Sequence, residues 1–230
     1  MKTGKKAGLF VLAVCLMNLV ASMAMLFVLG QATMAGGSPE NRMTYIIANE
    51  PAVRIGWATW IAASLMLALF FYYMAEYLSD LRPQTRFIVR AALILAIIGA
   101  AADTVSDIIS MGLLPDLAER FVHSEDSVIR KILLEEFRTW DHFSVLCTGG
   151  LANTTYGLAG CLVAFAMFQA RAFPGYVRLL SIPLWAVTFF MSYGSFALDA
   201  SILPVAVGST MALFLVWSFL IGVHLLRSEE

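Results

Sequence analysis

The stretch Gly99-Ala-Ala-Ala-Asp103-Thr104-Val-Ser106-Asp107-Ile-Ile-Ser110 lies inside an apolar run from about Phe87 to Leu114. About 20 apolar residues in helical form cross the hydrocarbon of a bilayer, so the run reads as a membrane span. Asp103 and Asp107 are four residues apart and share one helical face, which Gly99, Ser106 and Ser110 extend. A charged residue in a span costs roughly 2.5–3.5 kcal/mol on insertion scales and normally faces protein or water rather than lipid. Other helices must shelter this face. The reading is therefore an all-α membrane bundle arranged around an acidic stripe.

Composition agrees. Of the 230 residues, 60% are hydrophobic and 13% charged, with a mean hydropathy of +0.80. Soluble domains are typically about 45–50% apolar and about 25% charged. The net charge of −1 hides a segregation of signs, and no basic tract suggests a nucleic-acid partner. Cys15, Cys147 and Cys161 all fall in apolar runs and read as inert buried thiols. The last two are about 21 Å apart along one helix, too far for a disulfide.

Working outward, six spans emerge in one domain, at about 8–30, 52–78, 87–114, 142–169, 176–198 and 204–226. Lys2, Lys5 and Lys6 precede the first, whose apolar run exceeds the roughly 7–15 residues of a signal-peptide core. Ser38 to Pro51 reads as a short polar loop. Trp57 and Trp60 at one end of the second span, with Tyr72, Tyr73 and Tyr77 at the other, match interfacial belts. Pro83 ends that helix in a basic turn, and Pro183 marks a kink in the fifth span. Residues 115–141 carry apolar positions at three- and four-residue steps and seven acidic against four basic side chains. They read as an amphipathic segment lying on the membrane surface, over the bundle.

Basic residues at the N-terminus, in the 80–90 and 171–178 turns and at Arg227 alternate with the acidic segment. The positive-inside rule then expects a multi-pass membrane protein with both termini cytoplasmic and segment 115–141 outside.

The basic start into Gly8-Leu-Phe-Val-Leu and the sequence Ile46-Ile-Ala-Asn-Glu50-Pro-Ala-Val-Arg54-Ile-Gly56 entering span two resemble a bacterial family of six-helix membrane proteins of unknown function. The layout, with a Phe173-Pro-Gly175 turn before span five, is similar too. The resemblance implies a fold and a place in the bacterial inner membrane, and no activity.

At 1.5 Å per residue, Asp103 stands about 4–5 Å and Asp107 about 10 Å to the outer side of mid-membrane. By the same count Asn153 matches Asp103 in depth and Thr148 matches Asp107. Ser22, Thr59, Ser192, Tyr193, Ser195, Ser209 and Thr210 share the outer half, so a polar pocket opening outward is expected. His142, Gly149, Asn153, Gly157 and Gly160 form a stripe on span four, and its small residues are expected to pack on span three.

Two acids on adjacent turns repel one another, and a shared proton or a bound cation would resolve the conflict. Asp103, Asp107, Asn153 and Tyr193 are the candidate residues for binding a ligand, proton or cation. Asp141, His142 and Asp199 at the outer mouth are candidates for a divalent metal site, since imidazole and carboxylate suit Zn, Fe or Mn. No second histidine has ligand spacing, and no nucleophile motif is present. Aromatic and Met content leaves room for a lipophilic ligand.

Three function classes remain open. The first is a membrane binding or transport protein with an acidic outward pocket for a small molecule or ion. The second is a membrane enzyme using the Asp pair, His142 and a metal. The third is a subunit of a homo-oligomer or larger membrane complex.

Overall fold

The computed structural model describes residues 3–33, 37–198 and 201–227. Every regular element among them is a helix. Four spans are single helices: α1 (Thr3–Phe27), α3 (Glu50–Leu81), α8 (Gly175–Phe196) and α9 (Leu203–Arg227). Between α1 and α3 stands α2 (Pro39–Ala48), where the sequence suggested a loop. Ser38 caps it by accepting from the Asn41 N–H at 3.3 Å, and Pro39 occupies its first turn, where a missing N–H costs nothing.

The other two spans are longer than a bilayer requires. α4 (Arg86–Ile108) continues through a π-helical turn (Ile109–Leu113) into α5 (Leu114–His123). α6 (Ser127–Val145) continues through a π-helical stretch (Leu146–Ala152) into α7 (Asn153–Ala170). The helical runs Pro83–His123 and Ser127–Ala170 have 41 and 44 residues. At 1.5 Å per residue each is about 60 Å long, about twice the hydrocarbon thickness. Segment 115–141 is helical and amphipathic as expected. It forms two continuations of spans three and four, however, rather than a separate element laid on the surface. Helical dihedrals run unbroken through both junctions, so nothing turns the chain flat.

Consecutive spans pack side by side: α1 on α3, α3 on α4, α4 on α7, α7 on α8 and α8 on α9. α9 returns to α1 and closes a six-helix ring. Outward positions such as Leu16, Ile55, Ile97 and Phe165 are exposed apolar side chains, as a lipid-facing surface demands.

Two apolar cores fill the molecule. One occupies the ring from its middle to the basic end, around Phe70, Phe71, Trp185, Phe214 and Trp217. There, ring pairs meet edge to face, Phe70 on Phe71 at 5.5 Å and Trp185 on Trp217 at 5.5 Å, the arrangement aromatic quadrupoles prefer. The second core sits at the opposite end, where α2, α5 and α6 pack together. Leu114, Leu117, Ala118 and Phe121 line one face of α5, and Met43, Ile46, Leu133 and Phe137 answer them.

The glycine stripe of α7 meets a different neighbour from the one expected. A methyl group at Gly149 would strike Ser195, and one at Gly160 would strike the Trp185 ring, both on α8. Gly99 does face α7, against Thr155 and Tyr156. Small residues permit close approach on whichever helix lies beside them, and for this stripe that is span five. Trp57 and Trp60 also differ from expectation. Trp57 is buried, Trp60 half-buried, and both turn inward.

Candidate functional site

The acidic face of α4 is buried throughout: Asp103, Ser106, Asp107 and Ser110 are all inside the ring. Ser64 of α3 donates its hydroxyl to one Asp103 oxygen at 2.7 Å. Thr148 donates to the other. Thr148 belongs to the π-helical stretch, whose wider turns advance less per residue than an α-helix. That brings it to Asp103, although α-helical counting puts it level with Asp107. Irregular turns of this kind occur frequently at functional sites.

Asp107 is fully buried and neither of its oxygens has a hydrogen-bond partner. Beside it the helices are tied by hydroxyls. Ser144 of α6 meets Ser106 at 2.6 Å and Ser110 at 3.0 Å.

Within this half of the ring lies a cavity of about 640 Å³. Asp103, Thr148 and Asn153 form its acidic wall, and Trp57, Trp60 and Trp185 are among its aromatic walls. Asp107 is not on the wall. Three further polar groups on lining residues are enclosed by protein rather than turned into the space. The indole N–H of Trp185 and the hydroxyl of Thr210 are buried and unbonded. The Tyr156 hydroxyl faces Asp103 and Ser64 without a hydrogen bond of full geometry.

The cavity is roofed by an ion pair. Arg42 of α2, 3% exposed, holds both carboxylate oxygens of Asp141, one of them at 2.8 Å. Its Nε donates to the Ala32 carbonyl at 3.2 Å, and its guanidinium lies 5.3 Å from the Phe137 ring centre. This fork latches α2 onto α6 above the chamber.

Of the residues singled out in the sequence, Asp103 and Asn153 reach the cavity together. Asn153 gives its amide to the Thr148 carbonyl at 3.0 Å, so it steadies the acid's partner rather than the acid. Tyr193 is 64% exposed and lies on the outside of the ring. Its neighbours Ser192 and Ser195 take the inward face, and helical rotation sets residue 193 about 100° from the first and about 160° from the second. Tyr193 is therefore not a site residue.

The metal candidates of the outer mouth are not brought together among the described residues. Asp141 is held by Arg42, His142 points outward and is exposed, and Asp199 lies outside the described residues. Among the described residues no three His, Cys, Asp or Glu side chains gather as a metal site. The three cysteines are free, but none is buried as the sequence suggested: Cys15 and Cys147 are half-buried and Cys161 is exposed.

Four contributors were not singled out from sequence: Arg42, Ser64, Tyr156 and Trp185. For Arg42 a signal existed, because Ser38-Pro39-Glu40 followed by Met43, Ile46 and Ile47 is a capped amphipathic pattern. Comparison of the chain with family models, with curated proteins and with solved structures gives no match.

Proposed function

We propose that the chain is a membrane binding or transport protein whose intramembrane chamber takes a cation or a proton at Asp103. One observation carries the reading. Asp103 is oriented by two hydroxyl donors on the wall of a cavity, and among the described residues no basic side chain pairs with it. A buried carboxylate is costly unless paired, and the open side of this one faces a space where a positive ligand fits. The catalytic alternative draws less support, since it relied on His142 and a metal.

We read the chain as a bacterial inner-membrane protein, and the alternation of basic turns supports both termini cytoplasmic and the α5–α6 hairpin outside. In that orientation the chamber lies in the outer half of the membrane. Ser127→Cys in a cysteine-free background tests the orientation, because Ser127 is exposed at the start of α6. An impermeant thiol reagent should label it on intact cells, and exclusive labelling of inverted vesicles would reverse the topology.

The binding reading is tested by thermal melting of wild type and Asp103→Asn in lipid nanodiscs, with and without added sodium, potassium or organic ammonium ions. A ligand at 100 times its Kd stabilises by about 2.7 kcal/mol through mass action. Wild type should gain melting temperature with one of these cations and the variant should not. Equal responses to all of them would remove Asp103 as the binding group.

A further inference from the structure

The cavity has an edge, and it is not at the roof. Of the residues lining it, those supplied by α3, α4, α7 and α8 are buried or half-buried. The exposed ones are Leu26 on α1 and Pro204, Gly208 and Ala212 on α9. The chamber therefore breaks the surface along the seam between the first and last helices of the ring. At the basic end that seam is tight: a methyl group on Gly222 would stand 2.7 Å from Leu12. Toward the other end it loosens, and a methyl group on Gly208 would meet nothing. Ala212 lies about 14 Å into α9 by helical rise, so the opening faces hydrocarbon rather than water.

What enters from there must partition into a bilayer, and what it meets inside is acid and aromatic. Asp103 supplies a negative charge, while Trp57, Trp60, Tyr156 and Trp185 supply ring walls that favour a cation over their faces. A volume of about 640 Å³ lies within the range of small-molecule sites. We infer that the chamber binds a membrane-partitioned organic ammonium, admitted sideways from the bilayer between α1 and α9. This rests on the reading of Asp103 as the ligand-binding acid and adds to it a ligand class and a route.

The test uses the full chain in lipid nanodiscs, read by tryptophan fluorescence, since three tryptophans line the chamber. N-dodecylethanolamine is the probe, its uncharged counterpart is ethylene glycol monododecyl ether, and its tail-less counterpart is N-methylethanolamine. The amine should bind wild type about tenfold or more tighter than the ether, and Asp103→Asn should erase that preference. Thr148→Val, which removes one donor that orients the acid, should weaken amine binding in the same direction if Asp103→Asn fails to fold. Gly208→Phe should slow association and dissociation together by about tenfold, with the Kd nearly unchanged, because it narrows the entrance and leaves the site intact. Ala212→Trp provides the same block by a second residue.

Unaltered rates in both blocked variants would overturn sideways entry. Binding of N-methylethanolamine as tightly as the dodecyl amine would overturn the amphiphile class. No preference for amine over ether, together with an Asp103-dependent melting shift from sodium or potassium, would overturn the ammonium class and leave the wider binding reading standing. Absence of any Asp103-dependent response to any cation would overturn both.

Discussion

Asp141 and Asp103 line the same cavity, and their surroundings could hardly differ more. Asp141 has its charge matched by a guanidinium that grips both oxygens and is itself bonded to a backbone carbonyl. Asp103 has two neutral hydroxyls and open space. The first arrangement is complete without a ligand and ties α2 to α6. The second is, on the proposed reading, completed by one. Burial alone therefore does not mark a functional acid in this bundle; what distinguishes the two is whether the protein supplies the counter-charge.

The largest effect that could break this contrast is at the roof. Arg42→Ala should cost about 3–5 kcal/mol of unfolding free energy, because it leaves Asp141 buried without its partner. Replacing both, as Arg42→Met with Asp141→Leu, should recover most of that loss, since a packed apolar pair avoids the desolvation of two charges. Asp103→Asn should stay within about 1 kcal/mol of wild type in the same denaturation assay, as the amide keeps its hydrogen-bonding capacity. If Asp103→Asn proves as damaging as Arg42→Ala, Asp103 is a strut like Asp141 and the contrast collapses.

A smaller effect is expected at the seam below the roof. Ser144→Ala removes the hydroxyl that meets both Ser106 and Ser110. Buried hydroxyls deprived of a partner cost about 1–3 kcal/mol, and the loss should appear in thermal melting without altering cation response. Ser110 and Ser144 also line the cavity, so a change in cation response would mean that they contact the ligand as well as framing its site.

The sequence carried the parts of this architecture that repeat with helical period. Six apolar runs and the shared face of Asp103 and Asp107 follow from spacing alone, as does the polar bias of one half of the bundle. Three things escaped for physical reasons. The pairing of Arg42 with Asp141 joins positions 99 residues apart, and charge spacing says nothing about which distant helices meet. The Thr148–Asp103 bond depends on a π-helical stretch that shifts depth relative to α-helical counting. The glycines of α7 announce a close neighbour without naming it, and the neighbour is α8. Trp57 and Trp60 show a fourth limit: a tryptophan near a span's end suits an interface or a ligand wall equally well, and only its angle around the helix decides.

The smallest expected effect, and the one that sharpens the contrast most, concerns Asp107. It is as deeply buried as any group in the protein, yet it has neither the cation that serves Asp141 nor the hydroxyls that serve Asp103, and it does not reach the cavity wall. A group in that position stabilises nothing by its charge. Asp107→Asn keeps the volume and removes the ability to ionise, so the unfolding free energy should be unchanged or rise by up to about 1 kcal/mol. A loss of more than about 2 kcal/mol would show instead that the carboxylate has a counter-ion in the native protein, because only a paired buried charge is costly to remove. The cation series that tests Asp103 then separates the two cases. If Asp107→Asn leaves the cation-induced melting shift intact, Asp103 alone is the binding acid and Asp107 is a bystander on the next turn. If the shift is halved or lost, the two acids share one ligand, and the chamber extends behind Asp103 to include both.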